Sequence, residues 1–333
     1  AGPDPGPDDH ASIPAEHVSL RRLVPAVMAA ALAVACTEPE RQPNQGPADG
    51  EPAADSGNFV ESVYERNFVF ASLEGDSVFL VPWFMQTQQM PDSVLREASG
   101  WIARGGVWDR FYAERWWTPP TRVPNRILPH RELALLIGDE GVVDGIVFED
   151  PPRSLEVIIG PGGAAWTGAR GGTFQLLSGS AYLADQRIDG VILDMARASA
   201  GNRVNGGDWA FLLSGDSAHF VLASDVEHGG DADAVYRAWG RFEDEDLHWP
   251  DVRVEWERTE AFPPARRDVP VEWRVGSDDV DIQGRLEAVS AEIQAGEGPG
   301  PLLPVRALYE VEGRLSTQVG DFRVRGLVVH ERR

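Results

Sequence analysis

The sequence predicts an all-β protein built as two antiparallel β-barrels in tandem. Three observations predict it. Runs that alternate apolar and polar residues recur from Asn58 onward, and a period of two marks a strand with one buried face. Turn signals built on Gly and Asp separate those runs, at Glu74-Gly75-Asp76, Ser214-Gly215-Asp216, Gly276-Ser277-Asp278 and Val319-Gly320-Asp321, as hairpins require. Segments with helical spacing are few and short; "PDSVLREASGWIARG" and "DADAVYRAWGRF" are the best of them. Many short alternating strands point to barrels or sandwiches. Alternation also argues against a parallel α/β sheet, whose strands are apolar on both faces.

The chain has 333 residues, enough for one large domain or two modest ones, and its 42% hydrophobic content can build a core. The formal charge is −23. An acidic surface repels phosphate backbones, so no nucleic acid is expected as a partner. All 30 basic residues are arginine. The single cysteine, Cys36, excludes an intrachain disulfide and a Cys-rich metal site.

The elements follow in chain order. Leu23 to Ala35 is an apolar run of 13 residues, short of the ~20 that a spanning helix needs. Arg21-Arg22 precede it and Ala33-Val34-Ala35 end it, the three parts of a secretory signal peptide. Its flanks and the internal Pro25 argue against a buried core helix. The acidic, Pro-rich stretch before Val18 is foreign to such signals. Reading Val18 as the start makes residues 1–35 a mis-called leader plus signal peptide. Thr37 to Gly57 has no large apolar residue and cannot offset its ordering entropy, so residues 36–57 are expected to be a disordered tether. Beyond it, "DWAFLLSGDSAHFVLASD" predicts a hairpin of Trp209–Leu213 and Ala218–Ala223. "RVEWERTE" sets Val254 and Trp256 against Arg253, Glu255 and Glu257, and "VEWRV" repeats the pattern through Val271, Trp273 and Val275. "LYEVEGRL" and "GDFRVRGLVVHER" predict the closing strands. The polar, Gly-rich Asp225–Ala234 is the expected boundary, giving one β-domain over 58–230 and a second over 231–333.

Two resemblances add to this reading. Leu32-Ala33-Val34-Ala35-Cys36 resembles the bacterial lipobox, in which the cysteine after the cleaved bond receives a diacylglycerol thioether; here Ala33 stands where the family prefers leucine. The resemblance implies a lipid anchor on Cys36, on the extracytoplasmic side of a bacterial envelope. Acyl chains contribute ~0.8 kcal/mol per buried methylene, so a multiply acylated cysteine holds a protein to a membrane. Plain secretory cleavage before Cys36 is the alternative. In the second half, "GDWAFLLSGDS", "VPVEWRV", "LYEVEGRL" and "GDFRVRG" resemble the Trp-rich strand, the Pro-x-x-Trp strand and the closing strands of the AttH and carotenoid-hydratase-like family. That resemblance covers roughly residues 180–331 and implies two lipocalin-like barrels. Catalytic members carry a Trp-x-Asp-(His/Arg)-(Glu/Gln)-Trp stretch before the Trp-rich strand. "VILDMARAS" stands there instead: Asp194 matches the aspartate, while Met195, Ala196 and Arg197 replace its partners. Asp194 is thus a turn or strand-end aspartate or a surviving site residue, and an acid without a positioned partner is a poor general acid.

Other chemistry is not signalled. Gly-x-Ser-x-Gly and His-Glu-x-x-His are absent. "GEGPGP" lacks the context of a dinucleotide loop, and "DVEHGGDADA" fails the calcium-loop register. "FEDEDLHWPD" reads as an exposed acidic loop. No metal and no cofactor are expected. The positive feature is aromatic content: eleven tryptophans, with Phe111, Tyr112, Trp116 and Trp117 in one short stretch. Adjacent residues of a strand point to opposite faces, so at most one ring of Trp116-Trp117 faces a lumen.

Three functions remain open. The first is a membrane-tethered protein that binds an apolar or amphipathic small molecule, with Trp209, Trp273, Tyr309 and Asp194 as pocket residues. The second is a hydratase or isomerase acting on such a molecule through Asp194. The third is a structural lipoprotein without a ligand. Oligomeric state and ligand identity are not legible.

Overall fold

The computed structural model describes residues 62–122, 126–138, 143–168, 172–184, 186–200, 207–215, 218–224, 235–279 and 281–332. The expected signal peptide, the expected tether and Cys36 lie outside the described residues. The first nine strands form one antiparallel sheet: β1 (Ser62–Glu74), β2 (Ser77–Gln89), β3 (Val94–Arg104), β4 (Val107–Thr118), β5 (Leu133–Ile137), β6 (Val143–Asp150), β7 (Arg153–Thr167), β8 (Thr173–Leu183) and β9 (Gln186–Ala200). Their order is β4-β3-β2-β1-β9-β8-β7-β6-β5. The other eight close into a barrel: β10 (Trp209–Ser214), β11 (Ala218–Ser224), β12 (Val235–Phe242), β13 (Glu245–Phe262), β14 (Arg267–Gly276), β15 (Ile282–Ala295), β16 (Val305–Thr317) and β17 (Gly320–Arg332). A 3-10 turn, Pro263–Ala265, joins β13 to β14. No helix among the described residues is long and apolar enough to cross a membrane.

The expected turns end hairpins. Gly75 and Gly215 adopt φ of +60° and +58°, the left-handed region that tight two-residue turns require and glycine enters without strain. The expected alternation holds in β13, where Val252 and Val254 are buried while Arg253 is exposed.

Three buried clusters follow from the pleat. One fills the barrel, with Trp249, Trp273, Tyr309, Phe220 and Tyr236 among its members. One lies inside the curled first sheet, around Phe68, Phe70, Phe79, Trp83 and Phe111. The third joins the outer face of the first sheet to the outer face of the barrel, through Val69, Leu80, Phe84 and Leu193 on one side and Trp209, Phe211, Val221 and Leu327 on the other.

One expectation is refined and three need correction. The first sheet curls far enough to bring Phe111 of β4 within 4.9 Å of Phe148 of β6 by ring centroids, but its edges β4 and β5 are not hydrogen-bonded to each other, so it is an incomplete barrel. The change of sheet falls between Ala200 and Trp209, not at 230, because β10 pairs with β17 and β11 with β12. The two helical segments are β3 and β12. In β3 the neighbours Val94 and Leu95 are both buried, because the strand is covered on both faces, and that filling masks the period of two. "FEDEDLHWPD" is the β12–β13 hairpin, with Leu247 and Trp249 buried.

Candidate functional site

A cavity of about 590 Å³ opens at one end of the curled first sheet. Its position follows from side-chain size. Deeper in the curl, large rings meet edge to face, as Trp83 does Phe111 at 4.8 Å. Toward the open end several inward positions are small: Thr87, Ala98, Thr173, Ala196 and Ala198 all line the cavity. Shrinking the side chains of an incompletely closed sheet leaves volume that nothing else fills.

The wall is mixed in character. Met85, Leu128, Leu133 and Trp116 supply apolar surface, and Arg66, Asp194, Arg96 and Gln175 supply polar groups. Asp194 stands directly opposite Phe68 on the neighbouring strand, and Arg66 lies one pleat along the same face. The pleat thereby brings the guanidinium to the carboxylate. Arg66 Nε donates to Asp194 Oδ1 at 3.1 Å and a terminal nitrogen donates to Oδ2 at 2.8 Å, the two-pronged arrangement in which Arg is strongest. The Arg66 guanidinium also lies 4.8 Å from the centre of the Phe68 ring.

Arg96 is buried in the same wall. It donates to Thr118 Oγ1 at 3.1 Å, to Thr87 Oγ1 at 3.4 Å and to the Arg126 carbonyl at 2.6 Å. Burial pulls its pKa below the ordinary arginine value.

The β4–β5 connection runs along the gap. His130 stacks flat on Trp116, with centroids 4.4 Å apart and planes 2° apart. Tyr112 Oη donates to the His130 carbonyl at 3.0 Å, and Arg131 pairs with Glu114 at 2.6 Å. Burial, then the charges of Glu114 and Glu132, push the Tyr112 phenol well above its usual pKa. Trp116 thus faces inward, whereas Trp117 is 59% exposed on the other face, as the pleat demands.

The sequence-predicted residues do not converge. Asp194 lines the cavity. Trp273 and Tyr309 face the interior of the barrel and pack against each other at 5.2 Å. The void beside Trp273 holds about 20 Å³, room for a single water. Trp209 points the other way. Asp208 and Ala210 take the inward positions, so Trp209 packs against Phe84 of the first sheet at 6.3 Å. All three are core residues. Arg66, Arg96 and Trp116 line the cavity instead, and the first half of the sequence carries no family pattern that singles them out. Among the described residues, no group of three or more His, Cys, Asp or Glu is placed to hold a metal ion.

No protein-family model matches the chain, and no curated protein matches it. Solved structures do. A crystal structure described as an AttH of Nitrosomonas europaea superposes with a TM-score of 0.57 at 12% identity, covering 81% of this chain and 92% of that one. The fold is AttH-like. The crystal structure of CghA matches with a TM-score of 0.50 at 13% identity, over 81% of this chain and 88% of CghA. At such identities the AttH-like likeness speaks for architecture, and function has to be argued from the site.

A second polar cluster lies inside the barrel. Asp208 accepts from His330 Nδ1 at 2.9 Å to each oxygen and from the Glu331 backbone N–H at 3.1 Å. Burial and the nearby Asp208 raise the Tyr236 phenol well above its usual pKa. Tyr309 is raised by the same two causes, burial first.

Proposed function

We propose that this protein binds an apolar or amphipathic small molecule in the cavity of its first sheet. One observation carries the reading: a space of about 590 Å³ whose wall joins apolar surface to a set of polar groups, Arg66, Asp194, Arg96 and Gln175. That volume lies within the ~300–1,000 Å³ range of small-molecule sites and equals about twenty waters of liquid. The mixed wall suits a molecule with an apolar body and a hydrogen-bonding head. Export, cleavage before Cys36 and lipidation there belong to the same proposal. They rest on the signal-like segment and the lipobox resemblance, and mass spectrometry of the mature N-terminus tests them.

A hydratase or isomerase acting through Asp194 finds less support, because both carboxylate oxygens accept hydrogen bonds from Arg66 and the side chain is held as the partner of an ion pair. The filled barrel argues against a ligand beside Trp273 and Tyr309, yet the open cavity argues against a purely structural role.

Native mass spectrometry of envelope-purified protein, with titration by the fluorescent fatty acid cis-parinaric acid, tests binding. A retained apolar molecule or saturable parinaric acid binding is expected, weakened at least ten-fold by Ala196→Phe. Neither a co-purified molecule nor saturable binding is the result that overturns the reading.

A further inference from the structure

Chain direction fixes which end of the first sheet is the mouth. β1, β3, β6 and β8 begin there, and β2, β4, β5, β7 and β9 end there. The lining residues of β1, β2, β3, β8 and β9 gather at that end. So do the C-terminal ends of the two edge strands, which carry large exposed apolar residues. Trp117 on β4 is 59% exposed, and Leu136 and Ile137 on β5 are 41% and 47% exposed. Scattered exposed apolar residues are ordinary. These three stand on both lips of one gap, beside a cavity whose wall is partly apolar. An outward indole on such a lip suits the boundary between headgroups and acyl chains, where its ring is half wet and half dry.

The chain's entry point is at the same end. Ser62, the first residue of β1, is in register with Gln89 and with Ala200. The sequence that precedes Ser62 therefore joins β1 at the mouth end. The charge of −23 disfavours an anionic surface.

We infer that the rim formed by Trp117, Leu136 and Ile137 docks on a lipid bilayer with zwitterionic headgroups, so that the cavity exchanges its contents with the acyl region directly. The inference rests on the ligand-binding reading above. Its test uses no ligand: the full chain is coupled through its one thiol, Cys36, to a maleimide lipid in phosphatidylcholine vesicles, and amide hydrogen exchange is compared with the protein in solution. Exchange at Arg115–Thr118 and Leu135–Gly138 is expected to slow at least five-fold, with β14–β17 unchanged. Trp117→Glu with Ile137→Glu is expected to abolish that protection while leaving the near-ultraviolet circular dichroism as it was. No protection, protection on β14–β17 instead, or full protection in the double variant overturns the inference. Protection with neither a co-purified molecule nor saturable parinaric acid binding supports the docking rim and overturns the binding reading; binding without protection does the reverse.

Discussion

The Arg66–Asp194 pair is unevenly buried, and the unevenness predicts which half is the more costly to remove. The Asp194 side chain is 13% exposed and the Arg66 side chain 33%. Arg66→Ala leaves a carboxylate in a mostly dry wall. It also removes the guanidinium from the face of Phe68, a contact worth ~0.5–1 kcal/mol. Asp194→Ala leaves a guanidinium that water already reaches. Exposed ion pairs contribute ~0.2–1 kcal/mol, whereas removing one partner of a fully buried pair costs ~3–5 kcal/mol. This pair sits between those limits. We expect about 3 kcal/mol for Arg66→Ala and about 1.5 kcal/mol for Asp194→Ala, with the double variant less destabilised than the sum by ~1–2 kcal/mol, as contacting residues behave. Urea unfolding of the three variants, followed by tryptophan fluorescence, measures all three quantities. A costlier Asp194→Ala, or a double variant equal to the sum, refutes the reasoning, because either result means that the carboxylate does not depend on Arg66.

Three further predictions concern the frame around the site. Asp208→Ala strips the acceptor from the fully buried His330 and from the Glu331 backbone N–H; a loss of ~3–5 kcal/mol is expected by urea unfolding, and a loss under 1 kcal/mol contradicts it. Tyr112, Tyr236 and Tyr309 hold their protons well above the usual tyrosine value. The unfolded chain loses those protons near pH 10, so their contribution to stability is complete below that pH and declines as pH rises beyond it; absorbance at 295 nm is expected to miss three of the five tyrosines until the fold opens. A methyl group at Gly100 would come within 2.7 Å of Trp83 and 2.8 Å of Phe111, so Gly100→Ala is expected to destabilise by ~1–3 kcal/mol through overpacking, and a neutral result means that the rings yield.

Fold class was legible wherever one face of a strand meets water. β13 and the first half of β17 alternate because the barrel exposes their outer faces there, and the Gly-Asp turns name their hairpins outright. The strands between the two halves hide their period. β1, β2 and β10 are apolar on both sides, since one face meets a lumen and the other the neighbouring sheet. Doubly covered strands lose the polar half of the pattern. The boundary signal in the sequence, the polar and Gly-rich Asp225–Ala234, falls only after β10 and β11. The site was less legible for a related reason. Trp209, Trp273 and Tyr309 stand out in sequence as large aromatic residues, and large aromatic residues fill space. The cavity exists where Ala98, Ala196, Ala198 and Thr173 fail to fill it. A run of small residues carries no signal until the curl of the sheet sets them opposite one another. Asp194 was reachable because its place in a family pattern pointed to it, and its partner Arg66 lies 128 residues away.

Closure explains why the two halves of one architecture diverge. In the barrel every strand is hydrogen-bonded on both sides, the lumen is narrow, and Trp249, Trp273, Tyr309 and Phe322 occupy it. Eight strands give an interior that side chains can just fill. In the first sheet nine strands curl without meeting, so the interior is wider and one wall is a connection rather than a strand. That connection is held by side chains: Trp116 on His130, Tyr112 on the His130 carbonyl, Arg96 on the Arg126 carbonyl. Bonds of this kind contribute ~0.5–1.5 kcal/mol each, far less than a continuous strand ladder in sum. A wall with that composition opens at lower free energy than the rest of the sheet. On the ligand-binding proposal, the same incompleteness that leaves the cavity open would also supply the way in, between the two lips that carry Trp117 and Ile137.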